Sequence, residues 1–103
     1  MKMTSKIRLY INEQIKDLYL NAENAHITIG SSDEDTLKIT YPDIIASHLS
    51  FDFFNNRWTY FDSLKKERGI AKDGDVFILS VKHHIAAMFC VEEHVPQKVK
   101  LKS

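Results

Sequence analysis

Histidines and one cysteine are the side chains of this sequence that could hold a metal ion or pair a nucleophile with its base. His83, His84 and Cys90 lie closest together. Successive residues of a strand point to opposite faces, so His83 and His84 cannot easily chelate one ion, and six residues of extended chain separate Cys90 from His84 by about 20 Å. No helix start lies beside Cys90 to activate its thiol in a set with His48 or His84. The sequence therefore predicts no metal site, no cofactor and no catalytic residues.

Exposed aromatic side chains could stack on the bases of a single-stranded nucleic acid, and Tyr10, Tyr19, Tyr41 and Phe54 are the candidates. Such platforms usually accompany a basic groove. The chain carries 14 basic and 14 acidic side chains, which cancel. No global field therefore draws the protein to nucleic acid or to an anionic membrane. The acidic stretch Ser31 to Asp35 lacks the glycine and the spaced ligands of an EF-hand, so it is interpreted as a solvated turn.

The elements that must position these residues are strands, because apolar side chains recur with period two in one short run after another. The predicted strands cover residues 7–11, 18–20, 27–30, 37–39, 48–54, 57–62, 76–81 and 85–91. Residues 63–68 are predicted to form a polar loop, and Leu64 to Arg68 is the stretch closest to a helix. Short strands at a spacing of about ten residues predict an all-β protein, a β-sandwich or a small barrel.

The strongest local prediction is a hairpin built around Asn55-Asn56. Asparagine tolerates a positive φ better than most residues, so two asparagines suit a type I′ turn. Phe51 and Phe53 then share one face with Trp58 and Tyr60 on the partner strand. Aromatic pairs across strands stabilise sheets, so this face is predicted to belong to the core.

The length of 103 residues predicts one domain. We predict a globular part at residues 1–93 and a tail or linker at 94–103, which contains Pro96 and alternating lysines. A lone cysteine and the absence of a signal peptide favour a reducing cytoplasm. No apolar stretch reaches the roughly 18 residues that a membrane span requires, so no direct membrane insertion is expected.

The order of the motifs resembles a forkhead-associated (FHA) domain over about Lys6 to Val91. Ile29-Gly30, Pro42, His48 and a turn at Gly74 follow one another at suitable spacings, with the aromatic hairpin between the last two. The resemblance implies an FHA-like β-sandwich of short, mostly antiparallel strands. It also implies a site for phosphothreonine peptides at the loops that follow Gly30 and precede His48.

The residues that bind phosphate in that family are replaced here. Ser31 stands in place of the family's arginine, Ile45 in place of its phosphate-binding serine, and Ala46 in place of the next arginine. The loop Ser63 to Gly69 lacks the Asn-Gly that grips the peptide backbone. Phosphate needs charge-assisted donors worth about 1.5 to 3 kcal/mol each, and isoleucine and alanine supply none. The acidic residues Asp33 to Asp35 would repel it.

We therefore predict a non-catalytic interaction module that recognises proteins without phosphate, through the loops 31–36, 41–47 and 63–69. The predicted contact residues are Ser31, Ser32, Ile45, Ala46, Ser47, Lys65, Lys66 and Arg68, and the structural motif residues are Gly30, Pro42, His48 and Gly74. The alternative is a genuine phosphopeptide-binding domain with a rearranged pocket. That pocket would be built from Lys38, Arg57, Lys65, Lys66 and Arg68.

As an FHA-like sequence without the phosphate ligands, this chain resembles the cytosolic amino-terminal domains of EssC. EssC is the membrane-bound FtsK/SpoIIIE-type ATPase of Gram-positive type VII secretion. That resemblance implies a scaffold beside a secretion motor, at the inner face of the cell membrane. It implies as partners other components of the secretion machinery or a neighbouring domain of the same chain.

Overall fold

Nine strands and no helix make up the part of the chain that the computed structural model describes, residues 2–21 and 23–94. The strands are β1 Lys2–Ile11, β2 Gln14–Leu20, β3 His26–Gly30, β4 Leu37–Lys38, β5 Leu49–Phe54, β6 Arg57–Asp62, β7 Glu67–Ile70, β8 Val76–Ser80 and β9 Ile85–His94. They form one sheet in the order β2-β1-β9-β8 and a second in the order β4-β3-β5-β6-β7. All pairs are antiparallel except β3 with β4. The predicted all-β sandwich of mostly antiparallel strands is confirmed.

The core lies between the two sheets and is filled by buried side chains, most of them apolar, from β1, β3, β5, β8 and β9 in particular. Phe51 of the five-stranded sheet is fully buried, and its ring meets those of Phe77 and Phe89 from the four-stranded sheet at centroid distances of 5.6 and 6.0 Å. Tyr60 packs on Phe77 at 4.7 Å. These contacts join the sheets because period-two alternation points one face of each strand inward.

The predicted aromatic hairpin is confirmed in register and in turn geometry. Phe53 lies opposite Trp58, and Phe51 lies opposite Tyr60. The turn residues Asn55-Asn56 have φ of 58° and 61°, as a type I′ turn requires.

Two strands differ from the sequence prediction: β1 is longer than predicted, and β7 was not predicted as a strand. β1 begins at Lys2 rather than Ile7, because its polar first half pairs with the end of β9 and shows no apolar alternation. β7 occupies residues predicted as a loop with a helical tendency, and this prediction was wrong. Asp62 accepts hydrogen bonds from the backbone N–H of Leu64 (3.0 Å) and of Lys65 (3.1 Å), and the chain then reverses at a positive φ of 59° at Lys66. The returning segment pairs with β6 as an edge strand.

The turn before β8 is also as predicted, with Gly74 at a φ of 92°. The last strand continues to His94, one residue into the segment predicted as a tail. The rest of that predicted tail, Val95 to Ser103, lies outside the described residues.

Candidate functional site

Three loops meet at one end of the sandwich, and hydrogen bonds between them fix their positions. The loops are residues 31–36, 41–47 and 63–66, which we call the loop end. The backbone N–H of Ser31 donates to the carbonyl of Ile45 at 3.2 Å. Ser63 joins the third loop to the second, because its hydroxyl donates to the carbonyl of Ser47 at 2.7 Å and its N–H to the carbonyl of His48 at 2.8 Å. The loop end is therefore a connected surface.

The carboxylate of Asp35 holds the first two loops together from inside. Asp35 is 8% exposed and accepts the backbone N–H of Ser47 at 3.1 Å on both oxygens and that of Ser32 at 2.9 Å. The Ser47 hydroxyl adds a bond of 3.3 Å. Burial raises the pKa of this carboxyl, but the hydrogen bonds from Ser47 and Ser32 outweigh burial, so its pKa is lowered and the group is ionised. An internal anion thus occupies these backbone donors.

Gly30 lets the loops approach this closely. A Cβ at residue 30 would lie 2.5 Å from the Ser47 nitrogen, 2.6 Å from Asp35 Oδ2 and 2.7 Å from the Ile45 carbonyl oxygen. No side chain larger than hydrogen fits there without moving the backbone. The glycine of the predicted motif is therefore a packing requirement of the loop end.

His48 braces the second loop from below and has no exposed surface. Its Nδ1 accepts the backbone N–H of Ile45 at 3.4 Å, and its Nε2 has no hydrogen-bond partner among the described residues. Burial lowers the pKa of His48, so the imidazole is held neutral. This geometry suits the structural role that the motif predicts.

The outward surface of the loop end exposes apolar side chains on the second and third loops, beside charged ones. Ile45 is 39% exposed and Leu64 is 58% exposed, on neighbouring loops, and Ala46 is exposed beside Ile45. Pro42 is exposed in the same loop as Ile45 and Ala46. An apolar surface of this kind can contact a protein partner by burying hydrophobic side chains.

The predicted contact residues are only partly brought together. Ser31, Ser32, Ile45, Ala46 and Ser47 share the loop end, which also contains Lys65 and Lys66.

The basic side chains do not converge on one pocket. Arg68 lies in β7, where its guanidinium stacks on the Phe61 ring at 4.9 Å. Lys65 lines a groove at the side of the sandwich with Glu67 of β7 and residues of β8. Lys38 is paired with Asp33. Three cationic groups of the alternative pocket, those of Arg68, Lys65 and Lys38, thus have different neighbours.

A serine, a histidine and an aspartate that the sequence analysis did not connect meet beside the loop end. The hydroxyl of Ser80 donates to Asp43 Oδ2 at 2.6 Å, and His83 Nδ1 lies 3.1 Å from Asp43 Oδ1 and 3.2 Å from the Ser80 hydroxyl. In a catalytic triad the aspartate and the serine contact opposite nitrogens of the imidazole, whereas here both contact Nδ1. Ser80 is also only 3% exposed. The cluster therefore ties the second loop to the β8–β9 turn rather than forming a catalytic triad.

The metal-ligating, thiol and aromatic side chains that the sequence offers as candidates form no common site among the described residues. The described residues contain no group of three or more metal-ligating side chains, and none of their elements is a helix that could span a membrane. Burial raises the pKa of the Cys90 thiol, which lies opposite Lys6 on the outer face of the four-stranded sheet. Tyr10 and Tyr19 lie on that same face, whereas Phe54 is at the hairpin turn of the other sheet. Tyr10, Tyr19 and Phe54 therefore form no single platform on which nucleic-acid bases could stack.

Comparisons with known proteins give the fold. No family model matches the sequence, and no curated protein matches it. Solved structures do match. The Slr1951 protein from Synechocystis sp. superposes with a TM-score of 0.72 at 10% identity, covering 90% of this chain and all of that chain (100%). The MEK1 FHA domain superposes with a TM-score of 0.70 at 18% identity, and the match covers 85% of this chain and 89% of that chain.

The yeast Dun1 FHA domain, solved in complex with a doubly phosphorylated peptide derived from Rad53, superposes with a TM-score of 0.65 at 17% identity. The match covers 99% of this chain and 84% of that one. These identities are low, so the similarity concerns architecture. The chain has the FHA-like β-sandwich fold that its motif order predicts.

Proposed function

We propose that this domain is a non-catalytic interaction module that binds a protein partner at the loop end without a phosphate. The observation that carries the proposal is the Asp35 carboxylate, which accepts hydrogen bonds from the Ser32 and Ser47 backbone. A phosphate entering the loop end would meet this buried negative charge, and at 4 Å two like unit charges repel by about 4 kcal/mol at an effective dielectric constant of 20.

The residues around that carboxylate supply little to offset the repulsion. Ser31, Ile45 and Ala46 carry no positive charge, Arg68 stacks on Phe61, and Lys38 is paired with Asp33. A partner that buries Ile45 and Leu64 would instead gain roughly 25 cal/mol for each Å² of apolar surface removed from water. Ile45 and Leu64 thus favour an apolar contact at the loop end.

The test is partner capture by the immobilised domain from a lysate divided in two, with one half treated with a protein phosphatase. We expect the same partner from both halves. The double variant Ile45→Glu/Leu64→Glu should lose it, because two charges would be placed in an apolar contact. Phe54→Glu is the matched control, since Phe54 is 70% exposed but lies at the opposite end of β5. Capture that requires phosphate, or that survives the double variant, would contradict the proposal.

We further propose that the domain works as a cytoplasmic scaffold in a type VII secretion ATPase, at the inner face of the membrane. Support comes from the resemblance to the amino-terminal domains of EssC, from the opening hairpin β1–β2, and from the missing phosphate ligands. Its partners would then be other secretion components or a neighbouring domain of the same chain.

The reading frame that encodes this chain tests the secretion proposal without any binding assay. We expect it to continue beyond Ser103 into a second β domain, membrane-spanning helices and P-loop ATPase modules. A stop codon directly after Ser103 would overturn the secretion proposal and leave the interaction proposal standing.

A further inference from the structure

The imidazole of His48 lies beneath the loop end, fully buried, and it holds the second loop through one hydrogen bond. Its Nδ1 accepts the backbone N–H of Ile45 at 3.4 Å, which closes the turn between residues 45 and 48. Because Nδ1 accepts, the single proton of the neutral ring is on Nε2, which has no hydrogen-bond partner among the described residues. The ring therefore holds the loop through a lone pair that disappears when Nδ1 is protonated.

The backbone that this hydrogen bond closes is strained. Ser47 has a φ of 49°, in the left-handed region that residues other than glycine adopt at a cost. Three side chains restrain this segment: Asp35 accepts the N–H of Ser47, Ser63 donates to its carbonyl, and His48 accepts the N–H of Ile45. A strained conformation persists only while its surroundings enforce it. Loss of the His48 contact would therefore let the segment relax.

A charged His48 would need acceptors for two N–H groups, and two nearby carboxylates attract its positive charge. They belong to Asp62, at the end of β6, and to Asp43, in the second loop. Both are already engaged: Asp62 accepts two backbone N–H groups of the third loop at 3.0 and 3.1 Å, and Asp43 accepts the Ser80 hydroxyl at 2.6 Å. A charged ring would thus compete with the second and third loops for these carboxylates.

The charges around the ring favour a change at His48 rather than at its neighbours as the pH falls. Burial lowers the pKa of His48 and outweighs the attraction of Asp62 and Asp43, so the ring is neutral at neutral pH. The hydrogen bond from Ser80 lowers the pKa of Asp43. Burial raises the pKa of Asp35, but its hydrogen bonds from backbone N–H groups outweigh burial and lower it. Asp43 and Asp35 therefore stay largely ionised down to about pH 4.5.

We propose that His48 is an acid-sensitive switch of the loop end: its neutral ring holds the second loop, and protonation of the ring releases the N–H of Ile45 and moves that loop. Histidine is the side chain whose charge most readily changes in mildly acidic conditions. Ile45 belongs to the proposed contact surface, so the acid form should bind the partner more weakly. This weaker binding rests on the proposed function, whereas the loop movement does not.

Nuclear magnetic resonance of the isotope-labelled chain, from about pH 7.5 to pH 4.5, tests the switch without a partner. We expect the amide resonances of residues 44–47 to titrate with one midpoint below pH 6.5, equal to the midpoint of the His48 ring resonances. His48→Gln should abolish this midpoint, because a glutamine carbonyl can accept the Ile45 N–H but does not titrate. The equality of the two midpoints is measured on the unmodified chain, so the test stands even if His48→Gln does not fold.

His83→Gln is the matched control, since His83 also contacts the second loop, through Asp43 at 3.1 Å. It should leave the common midpoint in place. The proposal is overturned if the His48 ring titrates while residues 44–47 keep their shifts, or if His83→Gln abolishes the midpoint. It is also overturned if these amides move only when the whole chain unfolds. None of these outcomes contradicts the interaction proposal, which partner capture at neutral pH tests separately.

Discussion

At the scale of single residues, the loop end is defined by a small set of close contacts around Gly30 and Asp35. The carboxylate gathers backbone donors from two loops, and the glycine allows those loops to meet. A buried carboxylate that accepts several hydrogen bonds stabilises its surroundings as long as it stays ionised. Gly30 and Asp35 therefore have a structural role at the loop end.

Gly30→Ala should be strongly destabilising, because its Cβ would lie within 2.7 Å of three backbone or carboxylate atoms. We expect a loss of roughly 2 to 4 kcal/mol in the free energy of unfolding, measured by urea denaturation. Gly74→Ala is the control. It introduces a side chain at a φ of 92° but with no atom within 4 Å of the new Cβ, so only backbone strain of about 1 kcal/mol is expected. Equal losses for the two variants would contradict this account of Gly30.

His48 should make the stability of the domain depend on pH. Its folded-state pKa lies below the unfolded value of about 6.5, so the unfolded chain binds the extra proton first as the pH falls. The stabilising effect of the neutral imidazole is complete above about pH 6.5. It is lost below that pH by up to about 1.4 kcal/mol per pH unit. Unfolding free energies at pH 5 to 7.5 should therefore converge for the wild type and His48→Gln as the pH falls. Parallel curves would show that His48 does not titrate in this way.

At the scale of elements, the strands with strong local signals are the ones that the sequence predicts correctly. The β5–β6 hairpin combines aromatic alternation with an Asn-Asn turn, and all of its determinants lie within fourteen residues. β7 lacks such a signal because it is a short edge strand with polar residues, placed by pairing with β6. The polar start of β1 is likewise placed by β9, about ninety residues away in sequence.

The hairpin turn gives a prediction at this scale. Asn56→Gly should preserve or slightly raise the free energy of unfolding, since Asn-Gly is the preferred type I′ sequence. Asn56→Val should lower it by roughly 1 to 2 kcal/mol, because a β-branched residue strongly disfavours the observed φ of 61°. Thermal denaturation of the two variants under identical conditions checks this. A valine variant as stable as the glycine variant would exclude a type I′ turn at this hairpin.

At the scale of the whole molecule, two sheets hold together loops that are distant in sequence. Asp35 reaches Ser47 across twelve residues, and Asp43 reaches Ser80 across thirty-seven. Motif order predicts the sandwich and the position of the loop end, because each motif is local. It cannot predict which carboxylate occupies the backbone donors, because that contact exists only once the sheets have packed. The chain shares its fold with the yeast Dun1 FHA domain, which was solved with a doubly phosphorylated peptide, but its loop end combines the exposed Ile45 and Leu64 with the buried Asp35 carboxylate.

We propose that the FHA-like fold of this chain works without phosphate. The most direct measurement is calorimetric titration of the domain with a phosphothreonine peptide library and with the same peptides unphosphorylated. We predict no phosphate-dependent binding at up to about 1 mM peptide, which bounds the phosphate-dependent free energy of binding at about −4 kcal/mol. A micromolar affinity that disappears on dephosphorylation, and that Lys65→Ala, Lys66→Ala or Arg68→Ala weakens, would contradict the claim and establish the rearranged basic pocket.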